Sequence, residues 1–148
     1  MVPAMIGVWL TEGSDEPERR TVDASLTMRL VPDTTELAPA RQFVRATLGG
    51  WGLSDQAAHL ELAVSELVTN ALLHGEGGID VTVELHGDRV RLAVEDEGFG
   101  SEPIRVRAPN STGSGGWGLR LVDGLSDSWG ARRVPGRTLV WMERRLPS

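Results

Sequence analysis

The sequence predicts an α/β (α+β) two-layer sandwich, in which a mixed, mainly antiparallel sheet is covered on one face by helices. Three observations carry that expectation. Residues 61–75, ELAVSELVTNALLHG, repeat Ala63, Val64, Leu67, Val68, Ala71 and Leu72 at the spacing of one helix face. Ile79, Val81, Val83 and Leu85, then Val90, Leu92 and Val94, alternate with polar residues on either side of His86-Gly87-Asp88, which reads as a hairpin. A second hairpin is expected around Val134-Pro135-Gly136. Hairpins favour antiparallel pairing, and the helical stretches between them suffice to cover one side of the sheet.

Taken in order, residues 1–23 read as a tail, disordered or docked on a partner or a second copy, and residues 24–148 as one domain. The tail opens with the apolar MVPAMIGVWL and continues with TEGSDEPERR. It lacks the basic start and small-residue cleavage site of a secretory signal, and no run is long enough to span a bilayer, so a cytoplasmic protein is expected. Leu26, Met28 and Leu30 alternate in a strand that Pro32 ends. Asp33 or Thr34 is suited to cap the next helix, with Pro39 in its first turn and Ala40, Phe43, Val44 and Leu48 on its apolar face. Gly49-Gly50 closes it. Ser54 is a candidate N-cap for the long helix, and Gly75 suits a left-handed residue at its end. The stretch 96–116 is rich in Gly, Pro, Ser, Asn and Thr and long for a connection, as functional loops are. A short helix, about Trp117 to Leu125, precedes the second hairpin. In the last strand Leu139 and Trp141 alternate with Val140 and Met142, so the pattern leaves open which face points inward.

Composition excludes several functions. The chain has no cysteine, so disulfides and thiolate metal sites are absent. A net charge of −6 argues against broad binding to nucleic acid. All 15 basic residues are arginine. The lysine of a P-loop, the strand lysine of a eukaryotic-type protein kinase and Schiff-base chemistry are therefore excluded. Any phosphate must be held by backbone N–H groups, Arg or a metal ion.

Three stretches stand out. Glu66 and Asn70 lie four residues apart on the long helix and project from nearly the same side. They read either as a proton acceptor beside an oxygen donor for a hard cation, or as a wetted edge with no role. Asp96-Glu97-Gly98-Phe99-Gly100 follows a strand; it is either an acidic turn or a fixed acceptor beside an approachable backbone, suited to an amino group such as that of adenine. Gly113-Ser114-Gly115-Gly116-Trp117-Gly118-Leu119 leads into a helix and can present N–H groups to an anion. The same string satisfies the dinucleotide fingerprint, but RAPNST before it is no strand and hairpins flank the region, against a βαβ unit.

In order and spacing these three stretches resemble the signature of the GHKL ATPase and kinase superfamily, over about residues 25–145. With Gly115-Gly116-Trp117-Gly118-Leu119, Leu125 to Gly130 and Gly136-Arg137-Thr138-Leu139-Val140-Trp141, the chain is similar to bacterial anti-sigma-factor serine/threonine kinases of the RsbW/SpoIIAB-like group. The resemblance implies ATP and Mg²⁺ as ligands. It makes Glu66 the general base and Asn70 the magnesium ligand, and lets Asp96 accept from the adenine amino group, with Gly98 and Gly100 shaping the pocket. Thr138 would support adenine through a water. Gly113, Gly115, Gly116, Trp117, Gly118 and Leu119 would cover the phosphates, residues 101–112 would form a lid, and Arg105 and Arg107 are candidates for the terminal phosphate. The implied protein phosphorylates an anti-anti-sigma (STAS-type) partner, binds and inhibits a sigma factor, and pairs as a homodimer. The rival expectations are an ATP-binding switch with little kinase activity and a detached histidine-kinase catalytic domain.

Overall fold

The computed structural model describes residues 22–98, 115–134 and 136–147. Strand β1 (Ala24–Leu30) precedes helices α1 (Leu37–Gly50) and α2 (Ala57–His74). Strands β2 (Ile79–His86) and β3 (Arg89–Asp96), helix α3 (Gly115–Leu125), and strands β4 (Ser128–Val134) and β5 (Arg137–Arg145) follow. The order of elements is the expected one. The described strands form one sheet, β1-β2-β3-β5-β4, with every pairing antiparallel, so no parallel pair of the expected mixed sheet occurs among them.

The core lies between this sheet and the helices. Helix α2 buries Ala57, Leu60, Ala63, Val64, Leu67, Val68 and Ala71, a stripe at helical spacing, against Val81, Val83, Leu92, Val94, Val140 and Met142 of the sheet. Leu72, expected in the stripe, is only half-buried at its margin. Ala40, Val44 and Leu48 of α1 join the same core, and Val122 of α3 completes it. Removing a side chain such as Leu67, which retains 1% exposure, typically costs about 2–5 kcal/mol. The α1–α2 pair is also tied at its rim, where Arg45 binds Glu61 through Nε at 2.9 Å and Nη2 at 2.7 Å.

Three local expectations change. Asp33 does cap, but it caps a 3-10 turn, Thr34–Glu36, by accepting from the Thr35 N–H at 2.9 Å; α1 begins after that turn. Ser54 does not cap α2, because it opens a second 3-10 turn, Ser54–Gln56. The N-cap of α2 is the buried Gln56, whose Oε1 accepts from Arg144 Nε at 3.0 Å and so ties α2 to β5. Gly75 is extended (φ −102°, ψ −169°) rather than left-handed. A Cβ there would stand 2.4 Å from Asp96 Cγ, so the glycine is required by close approach of β3, not by a positive φ.

The sheet's second face resolves the ambiguity of the last strand. Val140 and Met142 face the helices, while Trp141 lies on the opposite side and is nevertheless only 4% exposed. The Arg91 guanidinium sits 5.2 Å from its ring centroid. Both faces of β5 are buried, which is why its apolar pattern showed no alternation.

Candidate functional site

The C-terminal end of β3 meets the end of α2 and the start of β5. Asp96 closes β3 as the register partner of Thr138 on one side and Ile79 on the other. It is buried at 6% exposure. Its Oδ1 accepts from the Gly98 N–H at 2.7 Å, and its carboxylate also accepts from the Glu76 N–H. The Thr138 hydroxyl donates to the Gly98 carbonyl at 3.1 Å and accepts from Arg133 Nε at 3.2 Å. One hydroxyl lone pair remains, which leaves an acceptor for a bridging water. The loop after α2 is held against this cluster by a bond from Glu97 N–H to the Glu76 carbonyl, at 2.9 Å.

Backbone packs tightly around the carboxylate. A Cβ at Gly98 would lie 2.9 Å from both Asp96 Oδ1 and the Glu76 nitrogen, and one at Gly75 would overlap the carboxylate itself. Burial raises the Asp96 pKa above the ordinary aspartate value. The two backbone N–H groups and the Arg133 charge oppose the shift but do not cancel it. A carboxylate that accepts from neutral donors, in a shell too tight for side chains, is suited to bind one more N–H donor.

Glu66 and Asn70 are both half-buried on α2. Among the described residues, no side-chain hydrogen bond or ion pair engages either. Ala71, next after Asn70, supplies the carbonyl that accepts from the Gly75 N–H at 2.7 Å, and Gly75 abuts Asp96. Asn70 is therefore linked to the carboxylate cradle through a single turn of backbone. No group of three or more His, Asp or Glu that could hold a metal ion occurs among the described residues. One amide oxygen suits Mg²⁺ held mainly by phosphates and water.

Of the residues singled out from sequence, Asp96, Gly98 and Thr138 come together directly, and Glu66 and Asn70 lie on the adjoining helix. Gly100, Gly113, the 101–112 stretch, Arg105 and Arg107 lie outside the described residues. Helix α3 starts at Gly115 rather than near Trp117, which places Gly115, Gly116, Trp117, Gly118 and Leu119 within its first turns. Their N–H groups thus include those that a helix start leaves without internal partners.

Sequence reading gave no part in the site to Gly75, Glu76, Glu97 or Arg133. The Glu97 carboxylate accepts from Gly78 N–H at 3.3 Å and pairs with Arg29 of the edge strand, and Arg29 also reaches Asp80 at 3.1 Å. These contacts clamp the loop after α2 to the end of β3. The local signal was Gly75, read from sequence as a helix end, with Gly77 and Gly78 following it.

The sequence profile of the histidine kinase-like ATPase domain matches residues 30–144. The chain is 31% identical to an anti-sigma F factor of Priestia megaterium, with 49% of this chain and 58% of that protein aligned. It is 27% identical to an anti-sigma F factor of Bacillus licheniformis, with 63% and 75% aligned. The crystal structure of the RsbU and RsbW domains of a Mycobacterium tuberculosis protein matches with a TM-score of 0.64 at 26% identity, covering 83% of this chain and 32% of that one. The chain thus spans 58% of the length of the Priestia relative. No helix among the described residues is long and apolar enough to cross a membrane.

Proposed function

Because this chain belongs to the histidine kinase-like ATPase domain family, we propose that residues 24–148 bind ATP and transfer its terminal phosphoryl group to a serine or threonine of a partner protein. The observation that carries the reading is the Asp96 cradle: a buried carboxylate, raised in pKa and walled by Gly75 and Gly98, matched to the exocyclic amino group of adenine. Asn70 would hold Mg²⁺ together with the phosphates, and the metal would neutralise charge on the transferring group. The N–H groups at the start of α3, with Gly113, would cover the phosphates, and Gly100 would complete the purine pocket. Thr138 keeps Gly98 in place through its hydroxyl and offers its spare lone pair to a water at the adenine.

Glu66 would take the proton from the incoming hydroxyl. General-base help of this kind is worth about 10²–10⁴-fold. The similarity to anti-sigma F factors supports a sigma factor as the bound partner and an anti-anti-sigma protein of the STAS type as the substrate. A cytoplasmic setting and pairing as a homodimer complete the proposal. Glu66→Ala should bind ATP with unchanged affinity and lose about 10²–10⁴-fold in phosphorylation rate, read with labelled ATP and the candidate partner. Full-rate phosphorylation by that variant would remove the base.

One observation favours a second reading. No described residue orients Glu66, whereas a committed base is commonly held by a neighbour. In that reading the site binds ATP and changes its grip on a partner with little transfer. Label on the partner protein selects the kinase; label retained in ATP, with nucleotide-dependent partner binding, selects the switch.

A further inference from the structure

Helix α2 carries the candidate site in a linear order. Its C-terminal end abuts the Asp96 cradle, where Gly75 meets the carboxylate. Asn70 lies more than one turn before that end, Glu66 about one turn before Asn70, and Leu62 about one turn before Glu66. These three follow one another along the side of α2 turned away from its core stripe. Leu73 stands on the same side. Leu62 is 44% exposed and Leu73 54%. A lone surface leucine is ordinary, but Leu62 falls in line with the reaction.

We propose that Leu62 is the docking point for the acceptor segment of the partner protein, and that this segment carries an apolar side chain beside the serine or threonine that is phosphorylated. The inference rests on the kinase reading and deepens it. Direction is the first argument. Phosphoryl transfer sets the entering and leaving oxygens roughly in line. With adenine at the Asp96 end of α2 and the phosphates at Asn70, the leaving nucleotide lies toward the C-terminal end of the helix. The acceptor then enters from the N-terminal side. Its hydroxyl must come within about 2.6–3.2 Å of the Glu66 carboxylate, and helix neighbours four apart have Cβ atoms only about 5–6 Å from one another. A segment that delivers a hydroxyl to Glu66 therefore covers Leu62.

The neighbours of Leu62 are the second argument. Toward α1, the Ser65 hydroxyl accepts from Arg41 Nη1 at 3.2 Å, and Glu61 is held by both nitrogens of Arg45. Those polar groups are engaged within the fold. Ala58 and His59, both exposed, continue the open surface one turn further back. Charge is the third argument. An acidic side chain beside the acceptor hydroxyl would meet the Glu66 carboxylate and an apolar contact, and both disfavour it. Leu62 thus selects an apolar neighbour. Leu73 lies about 16 Å away along the axis, at the adenine end, outside the acceptor's path.

The test uses the full chain, labelled ATP and, as probe, a STAS-type protein that the wild-type chain phosphorylates. Leu62→Gln keeps size and helix propensity but removes the apolar contact. It should raise KM for the partner about ten-fold or more, with kcat and the KM for ATP within two-fold. Leu62→Met should restore the partner KM to within two-fold of wild type. Leu73→Gln, equally a surface leucine on the same side, should leave it unchanged. An unaltered partner KM in Leu62→Gln overturns the docking point. So does a fall in kcat alone, an equal rise in Leu73→Gln, or a Leu62→Met variant as impaired as Leu62→Gln. Failure of the underlying reading looks different: a wild-type chain that binds ATP and phosphorylates no partner removes the kinase and the docking point together, whereas normal phosphorylation by Leu62→Gln removes the docking point alone.

Discussion

Two buried carboxylates sit on the central strands within one sheet, and the protein treats them oppositely. Glu143, on the outer face, lies among arginines: Arg89 Nη1 is 3.7 Å from its Oε1, and Arg91 is its register partner. Asp96, on the helix face, is met first by neutral donors, the N–H groups of Gly98 and Glu76. The first arrangement balances charge within the fold. The second leaves a desolvated charge only partly compensated, and its pKa rises accordingly. A carboxylate balanced by arginines is a structural member, whereas one surrounded by backbone in a glycine-walled cradle is available to a ligand.

The largest expected effect breaks the first half of that contrast. Glu143→Ala would leave arginine charge on a dry face without its carboxylate. Breaking a buried pair in this way costs about 3–5 kcal/mol. Urea denaturation should show that loss, while ATP affinity of the folded fraction stays within two-fold. A drop in affinity matching the drop in stability would mean that the two carboxylates do not have separate roles.

Asp96→Asn tests the second half. The side chain keeps one carbonyl oxygen for the Gly98 N–H but loses the charge that the adenine amino group would meet. Hydrogen bonds to charged groups contribute about 1.5–3 kcal/mol, so ATP affinity should fall about 10–150-fold in calorimetry. Stability without nucleotide should hold or rise, because the desolvated charge is gone. Loss of stability with affinity intact would make Asp96 structural like Glu143. Gly75→Ala is a smaller, steric version of the same test. Its methyl must displace the Asp96 carboxylate or the Ala71 carbonyl, 2.7 Å away. Such overpacking costs about 1–3 kcal/mol and should weaken ATP binding with it.

The same contrast explains what could be read from residues alone. Element order was legible because the stripe on α2 and the alternation on β2 and β3 each bury one face. The inward face of β5 was not, because Val140, Trp141 and Met142 are all buried. Asp96 and Gly98 announced themselves as a motif, and Asn70 and Glu66 as polar residues on an otherwise apolar helix. Gly75 was misread as a left-handed cap, since the reason for the glycine is a carboxylate 21 positions later. Arg133 and Arg29 carried no local signal. Their places follow from the pairings Arg133↔Thr138 and Arg29↔Asp80, and register between distant strands is set by the folded sheet.

The smallest effect separates the carboxylates by pH. Where a folded pKa lies above the unfolded one, the native state holds more protons between the two values, and stability falls as pH rises through that window. Asp96 is such a group, so its opposition to folding grows from the ordinary aspartate range upward and levels off once the native carboxyl ionises too. Glu61, lowered chiefly by its bond from Arg45, acts in the other direction: its stabilisation is present above the ordinary glutamate value and is lost as pH falls through the lowered one. The wild-type profile mixes the two, and the difference between wild type and Asp96→Asn isolates the first. Without nucleotide, the stability advantage of Asp96→Asn should grow as pH rises from the ordinary aspartate value, then level off. Saturating ATP should reverse it at neutral pH, because the ionised carboxylate then has the donor that the apo fold lacks. A difference profile that is flat with pH would mean that the Asp96 charge is already satisfied by Gly98, Glu76 and Arg133, and the cradle would lose its electrostatic reason to bind a purine.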